Sequence, residues 1–245
     1  MPAENLPPMH PNCRCSTIPY EDEGEYQQWL DSFGNDGLGS PIYGGNTTGI
    51  YKINNLVLES ALGKPMSHEE ADSGKCNPNY NGMADNPYSL NCQTCVPVYE
   101  LRRRGYNVEA LPRGTDTQQM LAHGEWKFWK RLDGTLCTES DTIQPERSMN
   151  PLEMANWMNE AIGEGQRFSW AYYYDYEATN GHILTIYKEN RKLRMYDPQT
   201  NKAFSGEEFL VMLKEYGTKK NRLFRMDDKL PIEEYASGIM KECSK

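Results

Sequence analysis

The spacing of apolar residues changes once along the chain, and that change predicts an α+β fold. Ahead of "QRFSWAYYYD", segments such as "NPLEMANWMNEAIGEG" carry apolar residues at helical spacing. From there "QRFSWAYYYD", "GHILTIYKE" and "RKLRMYD" alternate with period 2 between short turns, the pattern of an antiparallel meander. A helix group followed by a meander segregates the two kinds of structure, as α+β domains do. No internal repeat is present.

Element by element, the chain begins with two stretches that cannot form a core. Residues 1–19, "MPAENLPPMHPNCRCSTIP", are rich in proline and polar groups, and residues 20–47 are acidic and rich in Gly and Asn, a flexible linker. The compact domain is predicted over residues 48–245. In it, "INNLVLESALG" has helical spacing, and "CNPNYNGMADNPYSLN" is a long loop full of turn formers. A short helix follows in "NCQTCVPVYELRRRG", then a strand in "YNVEALP" and a mixed stretch over 115–145. The helix in "NPLEMANWMNEAIGEG" has Asn150 as cap and Pro151 at its first position. After the meander come a capped helix in "SGEEFLVMLKEYG" and a last strand in "NRLFRMDD".

Composition narrows the function classes. With 35 acidic against 26 basic residues the net charge is −9, a surface that repels phosphate backbones, so nucleic acid is not an expected partner. No apolar run approaches the roughly 18 residues that cross a bilayer, and no signal-peptide core is visible. A soluble protein without a membrane partner is expected. Seven cysteines form an odd set in a chain of 245 residues, unlike a secreted disulfide scaffold, and read as reduced thiols in a cytoplasm.

Two of those thiols, Cys92 and Cys95, stand at the start of the helix in "NCQTCVPVYELRRRG". A Cys-x-x-Cys pair suits a zinc half-site, a redox dithiol or a nucleophile. Zinc needs a second ligand pair, and Cys76, Cys137 and Cys243 stand alone. A redox dithiol wants a βαβ unit, which the pattern lacks. Pro97 bears on the nucleophile, because proline is tolerated in the first turn of a helix and clashes later. With Thr94 as N-cap, Cys95 is the first helical residue and Pro97 the third, the arginines fill the last turn, and Gly105 ends it. A sulfur at the positive end of a helix is favoured as thiolate. A small buried core residue is the competing reading of either cysteine.

A thiol nucleophile needs a base, and the chain has four histidines. His10 is in the tail, His68 in an acidic loop, and His123 at a helix end. His182 opens the strand "GHILTIY". Asp197, at the exit of the neighbouring strand in "RMYDPQT", falls at the same end of the sheet when the two strands pair. It is placed to orient the imidazole, and Gln199 just beyond it to donate to a substrate carbonyl.

Cys, His and Asp in this order resemble papain-like enzymes. "NCQTCVPVYELRRRGYNVEALP", "GHILTIYKENRKLRMYDPQT" and "RLFRMDD", with "EEADSGKCNPNY" as lead-in, are similar to the papain-fold polymorphic toxin domain of the glutamine deamidase type. The resemblance implies a papain-like fold and a catalytic set of Cys92 or Cys95, His182 and Asp197, with Gln199 accompanying. Papain relatives use a helix-initial cysteine, which favours Cys95; the family's asparagine–cysteine pair favours Cys92, next to Asn91. No cofactor is implied. The implied partners are a target protein with a reactive glutamine, a cognate immunity protein and phage head proteins.

"PPMHPNCRCSTIP" is similar to the closing motif of phage Mu F-type minor head proteins. His10, Cys13 and Cys15 have metal-like spacing, but the upstream partner cysteine is missing, so no metal is assigned. The implied function is a phage-associated toxin, cytoplasmic or carried on the virion, that deamidates a glutamine side chain. A papain-like protease or isopeptidase and a non-enzymatic phage structural module are the alternatives.

Overall fold

A computed structural model describes residues 63–72, 74–174, 181–216 and 220–243. The tail, the linker, His10, Cys13, Cys15 and nearly all of the helix read in "INNLVLESALG" lie outside the described residues. In chain order the helices are α1 (His68–Asp72), α2 (Cys92–Arg103), α3 (Asp116–Ala122), α4 (Pro151–Ala161), α5 (Gly206–Tyr216) and α6 (Glu233–Ala236). The strands are β1 (Val108–Ala110), β2 (Trp129–Lys130), β3 (Thr142–Ile143), β4 (Arg167–Tyr173), β5 (Gly181–Glu189), β6 (Lys192–Asp197), β7 (Lys202–Phe204), β8 (Asn221–Arg225), β9 (Leu230–Pro231) and β10 (Met240–Glu242). The fold is mixed α+β, and every strand pairing is antiparallel.

The three period-2 runs are β4, β5 and β6, the centre of a six-stranded sheet ordered β3-β8-β4-β5-β6-β7. The register of β5 on β6 is set by a two-residue turn, Asn190–Arg191, with φ of 55° and 65° at the two positions. Two positive φ angles give the twist that matches paired strands. The Glu164 carboxylate accepts both turn N–H groups, at 2.6 and 2.8 Å.

Alternation divides the sheet between two cores. Phe168, Trp170, Leu184, Ile186, Leu193, Met195 and Leu223 face α4 and α5, while Ala171, Ile183, Tyr187, Tyr196 and Phe224 face α2. The result is three layers, with α2 covering one face of the sheet and α4 with α5 covering the other. α4 carries the predicted cap: Asn150 Oδ1 accepts from Glu153 N–H, and Glu153 returns a carboxylate to Asn150 N–H, both at 2.9 Å. No helix among the described residues is long and apolar enough to cross a membrane.

Helix α2 is fixed at its far end by two devices. Gly105, at φ 104°, donates to Arg102 O, and Tyr106 donates to Leu101 O, the paired bonds of a Schellman motif. A Cβ at Gly105 would lie 2.7 Å from the carbonyl oxygens of Gly63 and Lys64, so only glycine fits that close approach. Glu100, fully buried, takes Arg104 Nε at 2.8 Å and Arg167 Nε at 2.7 Å, joining α2 to β4. Burial works to raise the Glu100 pKa, but the Arg167 and Arg104 guanidinium groups outweigh it and hold it at about 2.

Three expectations change. "NRLFRMDD" is not the last strand: β9 and β10 follow, pairing with β2 and β1, and β8 itself inserts between β3 and β4. His68 lies on the short helix α1 and not in a loop. The helix bearing the thiols begins at Cys92, so Thr94 is not its cap and Pro97 is its sixth residue. The Asn91 carbonyl accepts from Thr94 N–H at 2.9 Å and Cys95 N–H at 3.1 Å, which starts the helix three residues earlier. Pro97 leaves the Gln93 carbonyl without its usual partner and normally costs about 3 kcal/mol in a helix interior. Burial of every residue from Thr94 to Arg102 holds the helix against that cost.

Candidate functional site

Each strand of the site is placed by register. Tyr172 of β4 is opposite His182 of β5, and Thr185 is opposite Tyr196. His182 near the start of β5 and Asp197 at the end of β6 therefore lie at the same end of the sheet. The His182 Nε2 to Asp197 Oδ2 distance is 3.0 Å. Asp197 is itself held by Gln199 N–H on Oδ1 at 2.9 Å and Thr200 Oγ1 on Oδ2 at 3.0 Å.

Cys92 completes the group. It is the first residue of α2, and it lies near enough to the imidazole to act on its charge. With Nε2 taken by Asp197, Nδ1 is the ring nitrogen left for the thiol. Burial disfavours the charged ring, but Asp197 and Cys92 beside it hold the His182 pKa well above the ordinary histidine value. Burial likewise disfavours the Asp197 carboxylate, but His182 and the bonds from Gln199 and Thr200 hold its pKa below the usual range. Cys92 is 6% exposed.

Cys95, one turn along, is 0% exposed. Its sulfur donates to Asn91 Oδ1 at 3.3 Å, and the Cys76 thiol donates to the Cys95 carbonyl at 3.3 Å. Burial, and then the Cys76 thiol, push the Cys95 pKa well above the ordinary cysteine value. The structure thus brings His182 and Asp197 together with Cys92 acting on the ring, while the Cys95 sulfur bonds Asn91. Gln199 is buried and acts on Asp197 through its backbone N–H; its backbone carbonyl accepts from Asn77 Nδ2 at 2.9 Å.

Several neighbours were not singled out from the sequence. The Tyr172 ring meets the His182 ring edge-on at 5.9 Å and stacks on Tyr216 at 5.0 Å, a rigid aromatic backing for the imidazole. Tyr80, 36% exposed, stands at the mouth. Burial and the Asp197 charge raise its hydroxyl pKa while His182 lowers it, so the phenol lies in the field of both. Met83 and Leu90 are also exposed, giving the loop that leads to Cys92 an apolar rim. Asn77 is buried beneath that loop. A turn-rich stretch gives no signal for a buried asparagine, and the pairing of β4 with β5 is the signal that would have found Tyr172.

Among the described residues no cluster of three His, Cys, Asp or Glu side chains could hold a metal ion. No family model matches the chain, and no curated protein or solved structure shows significant similarity to it.

Proposed function

We propose that the chain is a cysteine hydrolase with a papain-like arrangement, and that it deamidates a glutamine side chain of a target protein as a phage-associated toxin. The observation that carries the hydrolase reading is the 3.0 Å bond of His182 to Asp197, with Cys92, at the start of α2, acting on the same ring. Thiol, base and orienting carboxylate in one line are the parts that nucleophilic acyl transfer needs. The choice of glutamine over a peptide bond rests on the resemblance of "NCQTC" and "GHILTIY…YDPQT" to toxin deamidases. The near burial of Cys92 supports it, because a slim carboxamide on a flexible side chain needs less room than a main chain. The rim of Tyr80, Met83 and Leu90 suits a protein surface as the target.

In the reaction His182 takes the Cys92 proton and the sulfur attacks the carboxamide carbon. The Cys92 backbone N–H, one of the first of α2 and so without an intrahelical acceptor, is beside the forming oxyanion. His182 returns the proton to the leaving nitrogen, ammonia departs, and a thioester remains. Water then loses a proton to His182 and attacks the thioester, freeing a glutamate carboxyl and the thiol. Asp197 keeps the imidazole oriented and balances its charge. Phage head proteins and an immunity protein are the further partners proposed, in the cytoplasm of a host or target cell.

The test is to incubate the full chain with a bacterial protein extract and map products by mass spectrometry, with Cys92→Ala as control. Discrete glutamine-to-glutamate conversions, each a gain of about one dalton, absent with Cys92→Ala, are expected. New chain termini would instead identify a protease. Identical maps for both proteins would leave no hydrolase.

A further inference from the structure

The two halves of the site arrive from different layers: Cys92 on helix α2, and His182 with Asp197 on the sheet. Something must fix the gap between them, since acyl transfer loses on the order of 10²-fold for a misplacement of about 1 Å. Asn77 lies at that junction, 6% exposed. Its amide nitrogen donates to Tyr88 O at 2.9 Å, to Gln199 O at 2.9 Å and to Asn91 Oδ1 at 3.2 Å. Its amide oxygen accepts from Asn91 Nδ2 at 3.2 Å, so the two asparagines form a reciprocal pair. Asn91 is the residue before Cys92 and is fully buried; its Nδ2 also donates to Leu111 O at 2.9 Å. Gln199 is the residue whose N–H holds Asp197.

We infer that Asn77 is a positioning residue for this site: one buried amide ties the residue preceding the nucleophile to the residue that holds the orienting carboxylate. The inference rests on the Cys92–His182–Asp197 reading. Asn77 also accepts Tyr80 N–H on its carbonyl at 3.2 Å, so the same residue anchors the aromatic at the mouth. The chemistry calls for an amide. An aspartate of the same shape has no donor for the Tyr88 and Gln199 carbonyls and sets its charge against three oxygen acceptors. A serine retains one donor but cannot span both sides.

The experiment compares wild type, Asn77→Asp and Asn77→Ser in the full chain, reading the rate of Cys92 alkylation by iodoacetamide against pH, with melting temperature alongside. A His182→Ala control isolates the underlying reading: if it alkylates Cys92 as fast as wild type across the pH range, the thiol–imidazole reading fails, whatever Asn77 does. If His182 matters, Asn77→Asp should slow alkylation at neutral pH by about 10²-fold and Asn77→Ser by less. Both pH profiles should move toward that of His182→Ala while the variants stay folded. Folded variants with wild-type profiles would overturn the inference. Failure of both variants to fold would assign Asn77 to the fold instead, and overturn it equally.

Discussion

The described residues contain two histidine–aspartate pairs, and they behave in opposite ways. His182 bonds Asp197 at 3.0 Å and meets a thiol; His68 bonds Asp72 at 3.1 Å and meets Tyr99 OH at 2.7 Å through Nδ1. The His182 pKa is held well above the ordinary value. That of His68 is lowered, because burial among the Tyr99, Tyr187 and Tyr196 rings outweighs the pull of Asp72. The difference lies in what surrounds each pair. Asp72 is more exposed to solvent than Asp197, and the Arg103 guanidinium opposes Asp72, Glu69 and Glu189 at His68, where the phenols add no negative charge near neutral pH. A neighbouring carboxylate therefore does not make a catalytic histidine. On the proposed reading, a thiol beside the ring together with a desolvated carboxylate is what separates the two.

The largest effect that follows is on activity. His182→Ala should abolish turnover, a loss of about 10⁴-fold or more. His68→Ala should leave turnover intact and lower stability by about 1–3 kcal/mol, measured by denaturant unfolding. Asp197→Asn should fall between the two, because an asparagine can still orient an imidazole in Cys–His enzymes. Its activity should be impaired yet measurable, and wild-type activity for it between pH 5 and pH 9 would remove Asp197 from the site.

Stability against pH sharpens the same comparison with opposite signs. His182 is protonated more readily folded than unfolded, so its contribution is full below the ordinary histidine value of about 6.5 and is lost as pH rises through its raised value. His68 resists protonation when folded, so its contribution is full above about 6.5 and is lost as pH falls toward its lowered value. Unfolding of His182→Gln and His68→Gln across this range should therefore differ from wild type in opposite pH windows. The smallest effect is expected for Cys95→Ala, which removes one buried sulfur: about 1 kcal/mol of stability and little activity.

The sheet half of the site was legible in the sequence for a definite reason. Period-2 alternation fixes faces, and a short turn fixes register, so His182 and Asp197 could be placed at one sheet end from their spacing. The far end of α2 was legible for a similar reason, since Gly105 meets a local conformational need. Its near end was not. The proline rule counts a lost hydrogen bond and a clash, but the start of α2 is set by Asn91 and by burial of the whole helix, which are tertiary terms. His68 was missed as a helical residue because α1 has five residues and exists through packing on α2. The strands β1, β2, β9 and β10 pair with partners far along the chain, and no local pattern announces such pairings. Asn77 sits in a run of turn formers, where a buried amide and an exposed one read alike.

On the proposed reading Cys92, and not Cys95, is the thiol activated by His182. It is tested most directly by treating the full chain with limiting iodoacetamide at neutral pH and mapping the modified cysteine by peptide mass spectrometry, in wild type and in His182→Ala. Modification at Cys92 first in wild type, slowed markedly by His182→Ala, with Cys95 unmodified in both, is the expected result. First modification at Cys95, or a Cys92 rate indifferent to the loss of His182, would contradict it.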